Sequence, residues 1–243
     1  MLTFQALPYA ELRSDVQFVE SLGFDAAWLA DQAVPDRLSI LEAWTALGAL
    51  AVDTSRIRIG TLITNAAIRN AMLLARQALT VDQISGGRVD VGVGAGYYEA
   101  DHRWLGIDYL DPKGRVQRLT EVVEVLDRAL RGERVTYAGE HVRLDDAPSL
   151  KPVQMPRPPI LIAVHGPRSL QLASRLADTA AWVGEEGKVI EETLVGFRDR
   201  MQRLDEMCRR LLANPVIEDY AYIVDEAYDE QEADDDPLDT GAQ

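Results

Sequence analysis

Residues 79–96, LTVDQISGGRVDVGVGAG, constrain the fold more than any other part of the chain. They read as the last turns of a helix, a Ser-Gly-Gly break, a short apolar strand and a glycine-rich loop. Ser85, Gly86 and Gly87 stop the helix, because glycine reaches left-handed backbone angles at no steric cost. Residues 88–93 are β-branched and largely apolar, the pattern of a parallel strand buried on both faces. Gly94, Ala95 and Gly96 then clear side-chain bulk from the carboxyl end of that strand, where α/β folds place their ligands. A flat, phosphate-bearing ligand can approach such a backbone closely.

The same strand–helix unit recurs along the chain. Apolar runs predict strands over 2–7, 26–30, 57–63, 160–164 and 179–183. Helical periodicity predicts helices over 11–22, 41–52, 71–84, 115–130 and 169–176; the first carries Leu12, Val16, Val19 and Leu22 on one face and stops at Gly23. A longer excursion occupies 97–114, a hairpin or flap 135–144, and a proline-rich extended loop 148–159. This alternation predicts an α/β fold with a parallel sheet and right-handed crossovers. Six units favour a TIM (β/α)₈-type barrel over an open sheet. A helix over 191–212 and a seventh strand over 217–224 follow, without a convincing eighth strand. A complete barrel takes roughly 250 residues, so this one is expected to be incomplete or irregular at its C-terminal end. Residues 1–224 make the barrel domain.

Of the fifteen excess negative charges, nine lie in residues 225–243, which hold no Lys or Arg. Such a segment repels itself and has little apolar surface to bury, so it is expected to be a disordered tail. Overall acidity argues against nucleic-acid binding, which needs a basic face. No run reaches 18 apolar residues, and no basic region with a following apolar stretch opens the chain, so neither a membrane span nor a secretory signal is expected. The single Cys208 forms no internal disulfide, which fits a cytoplasmic location.

Three ordered blocks then carry a family resemblance: LTVDQISGGRVDVGVGAGYYEADHRWLG, GRVQRLTEVVEVLDRALRGERVTYAGEHVRL and KPVQMPRPPILIAVHGPRSLQLASRLADTAAWVG. Together they resemble the bacterial luciferase-like superfamily from about residue 12 to 184. The resemblance implies a TIM barrel that uses flavin mononucleotide (FMN) or the deazaflavin coenzyme F420. By the same resemblance, the cofactor phosphate lies against the loop of Gly94, Ala95 and Gly96 and the loop of His165, Gly166, Pro167, Arg168 and Ser169. Thr64 and Asn65 match the turn that supports the middle of the ring system, often through a strained or cis peptide.

Physical chemistry supports the second loop independently. A helix start with Arg168 and Ser169 offers N–H groups, a guanidinium and a hydroxyl to one anion; the plainer alternative is that Ser169 caps the helix. Asp31 and Gln32 are the catalytic candidates. Many relatives have an acidic residue followed by His there, whereas Gln32 cannot shuttle a proton near neutral pH. Asp31 serves equally well as a salt-bridging residue. Ala95 stands where some FMN-dependent members have a phosphate-binding Arg, which tilts the expectation towards F420. Tyr97, Tyr98 and Trp104 are candidates for the substrate pocket, and no spacing of His, Cys or carboxylates indicates a metal.

The expected function is an oxidoreductase of a small organic substrate, by hydride transfer with F420 or monooxygenation with FMN. It is expected to act as a homodimer, with a separate flavin or F420 reductase as a further partner. Two alternatives stay open: a non-catalytic flavin-binding or interaction protein of the same fold, and a sugar-phosphate isomerase or aldolase barrel, for which no suitably placed Lys is evident.

Overall fold

Residues 8–32 and 41–181 are described in the structure, a computed structural model. The expected first strand over 2–7, the helix over 191–212, the strand over 217–224, Cys208 and the acidic tail lie outside the described residues.

Within them the strand–helix alternation holds. Helix α1 (Tyr9–Ser21) precedes β1 (Ala26–Asp31), α2 (Ala43–Asp53) precedes β2 (Arg58–Asn65), and α3 (Ala71–Ser85) precedes β3 (Val89–Gly94). Helices α4 (Glu99–Leu105) and α5 (Pro112–Leu130) follow, then a hairpin of β4 (Val135–Ala138) and β5 (Arg143–Ala147). The last described elements are β6 (Ile160–Ala163), α6 (Pro167–Leu176) and β7 (Thr179–Ala181). Strands β1-β2-β3-β6-β7 form one parallel sheet in that order, and β4 pairs antiparallel with β5. This is the run of neighbouring parallel strands that a TIM-type barrel requires, with the hairpin inserted between β3 and β6.

Every residue of β3 and β6 is buried, as the largely apolar run of β3 and the unbroken one of β6 predict. The outer helices pack Leu47, Leu50, Leu74, Leu79, Leu119 and Leu126 into the same core as Ile59, Val91 and Ile160. Two glycines allow β2 and β3 to approach. A Cβ at Gly60 would collide with the Asp90 carbonyl oxygen, and one at Gly92 with that of Thr61. Both collisions are with backbone, which cannot rotate away.

Four helix starts differ from the sequence expectation: α1 starts at Tyr9 instead of 11 and α2 at Ala43 instead of 41, while α5 and α6 both start earlier, at a proline. Helix α5 starts at Pro112 instead of 115, because Asp111 caps it with its side chain accepting from Gly114 N at 2.6 Å. Helix α6 starts at Pro167 instead of 169. Proline at the first helical position loses no hydrogen bond and has its φ preset. The excursion over 97–114 also contains a helix, α4, which ends on Gly106 in the left-handed region at φ 66°. Strand β2 continues through Thr64 and Asn65, which the sequence reading placed in the turn beyond it.

The Ser-Gly-Gly-Arg block is a structural clamp. Gly86 and Gly87 have φ of 66° and 92°, and Gly86 ends α3. The turn delivers Arg88 to the far end of α2. There its guanidinium donates to the carbonyls of Ala51 (2.9 Å), Thr54 (3.0 Å) and Ile57 (2.8 Å), to Thr54 Oγ1 (2.9 Å) and to Ser85 O (2.8 Å). Four of the five bonds therefore tie β3 to the α2–β2 connection. Nearby, the fully buried Asp82 accepts from the backbone N–H of Val153 at 2.6 Å and Gln154 at 3.2 Å, and from Gln154 Nε2 at 2.9 Å. That bond set holds the proline-rich segment against α3. Arg58 pairs with Asp90 and also donates to Gln154 Oε1 at 3.0 Å.

Candidate functional site

The opposite ends of the strands are open. A cavity of about 520 Å³ lies at the carboxyl ends of β2, β3 and β6 and against the first turns of α5 and α6. That volume is within the usual range for a small-molecule or cofactor site. Ile63, Ala95, Gly96 and Ala163 form part of its wall, and Lys113, Arg115 and Arg168 bring positive charge. His165, Gly166, Pro167 and Ser169 complete the α6 side, and Tyr97, Pro112 and Val116 the α5 side.

Glycine shapes the floor. A Cβ at Gly94 would collide with Ile63, and one at Gly96 with the Asn65 side chain; Gly96 also has φ +72°. Asn65 is fixed by its Oδ1 accepting from Ala67 N at 2.9 Å. The peptide bond between Leu62 and Ile63 is cis, and Ile63 lines the cavity.

The predicted residues divide into three groups. Ala95, Gly96, His165, Gly166, Pro167, Arg168 and Ser169 are brought together around the cavity, with Gly94 beneath them. Thr64 and Asn65 stand behind it. Thr64 is fully buried, accepts from Trp44 Nε1 at 3.0 Å and donates to Thr61 Oγ1 at 3.1 Å, so its hydroxyl is committed to the core. Asp31 and Gln32 are not among the lining residues. The Asp31 carboxylate is held by Arg69 through two hydrogen bonds of 2.8 and 2.6 Å, and Arg69 also reaches Glu42. Gln32 is exposed beside it.

Ser169 is not the N-cap that the plainer alternative describes: Gly166 holds that position, and Ser169 stands at the third residue of α6 with its hydroxyl turned back to the loop. Its Oγ accepts from the N–H groups of His165 (3.1 Å) and Gly166 (3.2 Å) and donates to Gly166 O (3.0 Å). One donor and two acceptor positions are thereby used, which is all that a hydroxyl has. Ser169 contributes shape and loop order, and the anion-binding capacity of this loop rests on Arg168 and the amides of the first turn.

Lys113 and Arg115 were missed, because the sequence reading placed Lys113 in a loop and gave Arg115 only the role of a helix start. The signal that could have found them is the Asp-Pro helix start. An N-cap followed by proline puts the next residues on the first turn of α5, facing the strand ends. Arg115 is oriented by donating to Leu110 O at 2.7 Å and by stacking on Tyr109, 4.4 Å from the ring centre. Among the described residues, Lys113 and Arg168 have no hydrogen-bond or ion-pair partner. They supply the positive charge that Ala95 does not. A flat ring with an anionic arm fits this combination of apolar wall, glycine-cleared floor and unpaired cations.

Among the described residues no group of three or more His, Cys, Asp or Glu is placed to hold a metal ion. No helix among them is long and apolar enough to cross a membrane.

Residues 2–217 match the family model described as luciferase-like monooxygenase. The chain is similar to the 5,10-methylenetetrahydromethanopterin reductase of Archaeoglobus fulgidus, at 33% identity over 173 residues, 71% of this chain and 48% of that protein. It is also similar to the F420-dependent glucose-6-phosphate dehydrogenase of Nakamurella multipartita, at 31% identity over 210 residues, 82% of this chain and 61% of that protein. Most of the curated relatives it matches are about twice as long as the stretch they share with it. The solved F420-dependent tetrahydromethanopterin reductase of Methanopyrus kandleri superposes with a TM-score of 0.71 over 85% of this chain and 59% of its own, at 24% identity, a likeness of fold. A solved F420-dependent secondary alcohol dehydrogenase, in complex with an F420–acetone adduct, gives 0.68 at 26% identity, covering 82% of this chain and 64% of its own. With the matched blocks in order and the same barrel beneath them, this chain belongs to the luciferase-like monooxygenase family.

Proposed function

We propose that the protein is an F420-dependent oxidoreductase that transfers hydride to or from a small organic substrate at the carboxyl ends of β2, β3 and β6. The observation that carries this reading is the convergence of Lys113, Arg115 and Arg168 on a glycine-floored cavity whose Ala95 wall is uncharged. When bound, the coenzyme supplies two-electron hydride chemistry from its own ring system. Lys113, Arg115 and Arg168 would hold its anionic arm. Ile63, Ala95, Gly96 and Ala163 offer apolar and small surfaces to the ring and keep water from it. Among the described lining residues, His165 carries the one imidazole. The reading includes a cytoplasmic homodimer.

A second reading, FMN in the same cavity, brings with it a separate flavin reductase and monooxygenation. A non-catalytic flavin-binding role is favoured by one specific observation: Asp31 is locked to Arg69 and Gln32 replaces an imidazole, so neither is free to move protons. Equilibrium titration with oxidised and reduced F420 and FMN separates these readings. F420 binding with substrate-dependent oxidation or reduction supports the first. FMN binding with reduced-flavin-dependent oxygen uptake supports the second, binding of either without turnover the third, and no binding of either overturns all three.

A further inference from the structure

Tyr109 joins two elements of the cavity without lining it. Its hydroxyl donates to Tyr97 O at 2.8 Å, on the loop after β3. The Arg115 guanidinium lies over its ring near the start of α5, 4.4 Å from the ring centre. Tyr97 and Arg115 both line the cavity, and Tyr109 does not. The one proton of its hydroxyl is committed to Tyr97 O, so what Tyr109 contributes to the site is position.

The ring is itself braced. His102 is fully buried and stands edge-to-face with it, at 5.0 Å between ring centres and 69° between planes. His102 Nδ1 lies 3.0 Å from Tyr98 O. A carbonyl only accepts, so Nδ1 carries the proton and Nε2 is left as a buried acceptor with no hydrogen-bond partner. Such an acceptor is a cost to the fold; in return the imidazole fixes the Tyr98 carbonyl and packs against Tyr109. Helix α4 ends on Gly106, and Ile107 N donates to His102 O at 2.8 Å, which turns the chain back towards the imidazole. Arg115 needs this support. The positive end of the helix dipole disfavours a cation at the start of α5. An arginine free to turn would also lose rotamer freedom on binding an anion, worth about two- to tenfold in affinity. The Tyr109 ring and the Leu110 carbonyl, 2.7 Å away, set the rotamer beforehand.

Resting on the cavity reading above, we propose that Tyr109 is a positioning residue that couples the β3 loop to α5 across the site. Through its ring it presets Arg115 for the anion, and through its hydroxyl it holds the Tyr97 turn beside the ligand. The two contacts are then set together by one side chain, and His102 keeps that side chain in place.

The experiment measures dissociation constants of the full chain for F420 and for FMN in the wild-type protein, Tyr109→Phe, Tyr109→Leu, Arg115→Ala and the double variant Tyr109→Leu/Arg115→Ala. Tyr109→Phe keeps the ring and removes the bond to Tyr97, and is expected to weaken binding about two- to threefold, the low end for a neutral hydrogen bond. Tyr109→Leu removes both links and is expected to weaken it a further two- to tenfold or so. In the Arg115→Ala background the Tyr109→Leu loss should shrink to that of Tyr109→Phe, because the share acting through the guanidinium has gone. Tyr109 is 38% exposed, so the variants are expected to fold; Tyr109→Phe, which retains the packed ring, carries the test if the leucine variant does not. A merely structural role gives the same Tyr109→Leu factor with and without Arg115. That result, or wild-type affinity in Tyr109→Phe, overturns the coupling while the cavity reading stands. Binding of neither cofactor to the wild-type protein overturns both.

Discussion

At the amino-terminal rim of the sheet, Arg88 donates to five oxygens, Asp82 accepts three hydrogen bonds, and Arg58 pairs with Asp90. At the carboxyl-terminal rim, Lys113 and Arg168 have no partner among the described residues, and the floor is cleared by glycines. The same strands run through both. Polar side chains at the first rim are saturated by the protein itself, so they hold the chain together. At the second, Lys113 and Arg168 stand apart without a partner among the described residues, while Asp31, Arg115 and Ser169 are held by the protein. This is the division expected of a barrel whose lower face serves stability and whose upper face serves chemistry.

Substitutions at the two rims should therefore fail in different ways. The largest effect is expected from Arg88→Ala, which strands the buried carbonyls of Ala51 and Ile57. A loss of about 3–4 kcal/mol is expected, read as a lower urea midpoint at unchanged slope. A loss below about 1 kcal/mol would remove the clamp from the account.

Arg168→Ala is the counterpart. It should lower cofactor affinity by about 1.5–3 kcal/mol, the range for a hydrogen bond to a charged group, and change the melting midpoint hardly at all. Unchanged affinity for both F420 and FMN would withdraw the anion site from this loop. Gly96→Ala lies between the two: its left-handed backbone costs about 1–2 kcal/mol of stability, and the added methyl displaces Asn65 and narrows the cavity. Calorimetry that finds affinity intact in this variant would move the ligand away from the β3 loop.

The smallest effect is a pH dependence on the hairpin that flanks α5. Burial raises the Glu121 pKa. Hydrogen bonds from the Gln117 side chain and from the N–H groups of His141, Val142 and Glu140 outweigh that and hold its carboxyl below its ordinary value. A depressed folded-state pKa stabilises above the unfolded value of about 4.3, and that contribution is lost as pH falls through the folded value. Stability should decline below about pH 4.3, and less steeply in Glu121→Gln. Parallel acid-denaturation curves for the two proteins would contradict this assignment.

Much of this division was legible in residues 79–96, yet its meaning was split. The glycines after β3 indicated the ligand side, and the cavity lies beside them. The Ser-Gly-Gly-Arg block in the same run works at the other rim. Arg88 reaches carbonyls more than thirty residues earlier, and Asp82 reaches amides some seventy residues later, so local pattern could not show either. The strand and helix order followed from periodicity, because burial on both faces leaves an unbroken apolar run. Lys113 escaped notice because its place depends on how Asp111 and Pro112 start α5. Ser169 could be read as cap or ligand; it stands at the third residue of α6, behind the Gly166 N-cap, where three bonds commit its hydroxyl to the loop.

The most direct measurement is chemical denaturation of the wild-type protein, Arg88→Ala and Arg168→Ala, each with and without F420 at 100 times the wild-type dissociation constant. Ligand should stabilise the wild-type protein and Arg88→Ala alike by about 2.7 kcal/mol, and Arg168→Ala by only about 0.3–1.3 kcal/mol at the same concentration. An equal gain in Arg168→Ala, or no gain in the wild-type protein with F420 or FMN in either redox state, would contradict the assignment of the two rims.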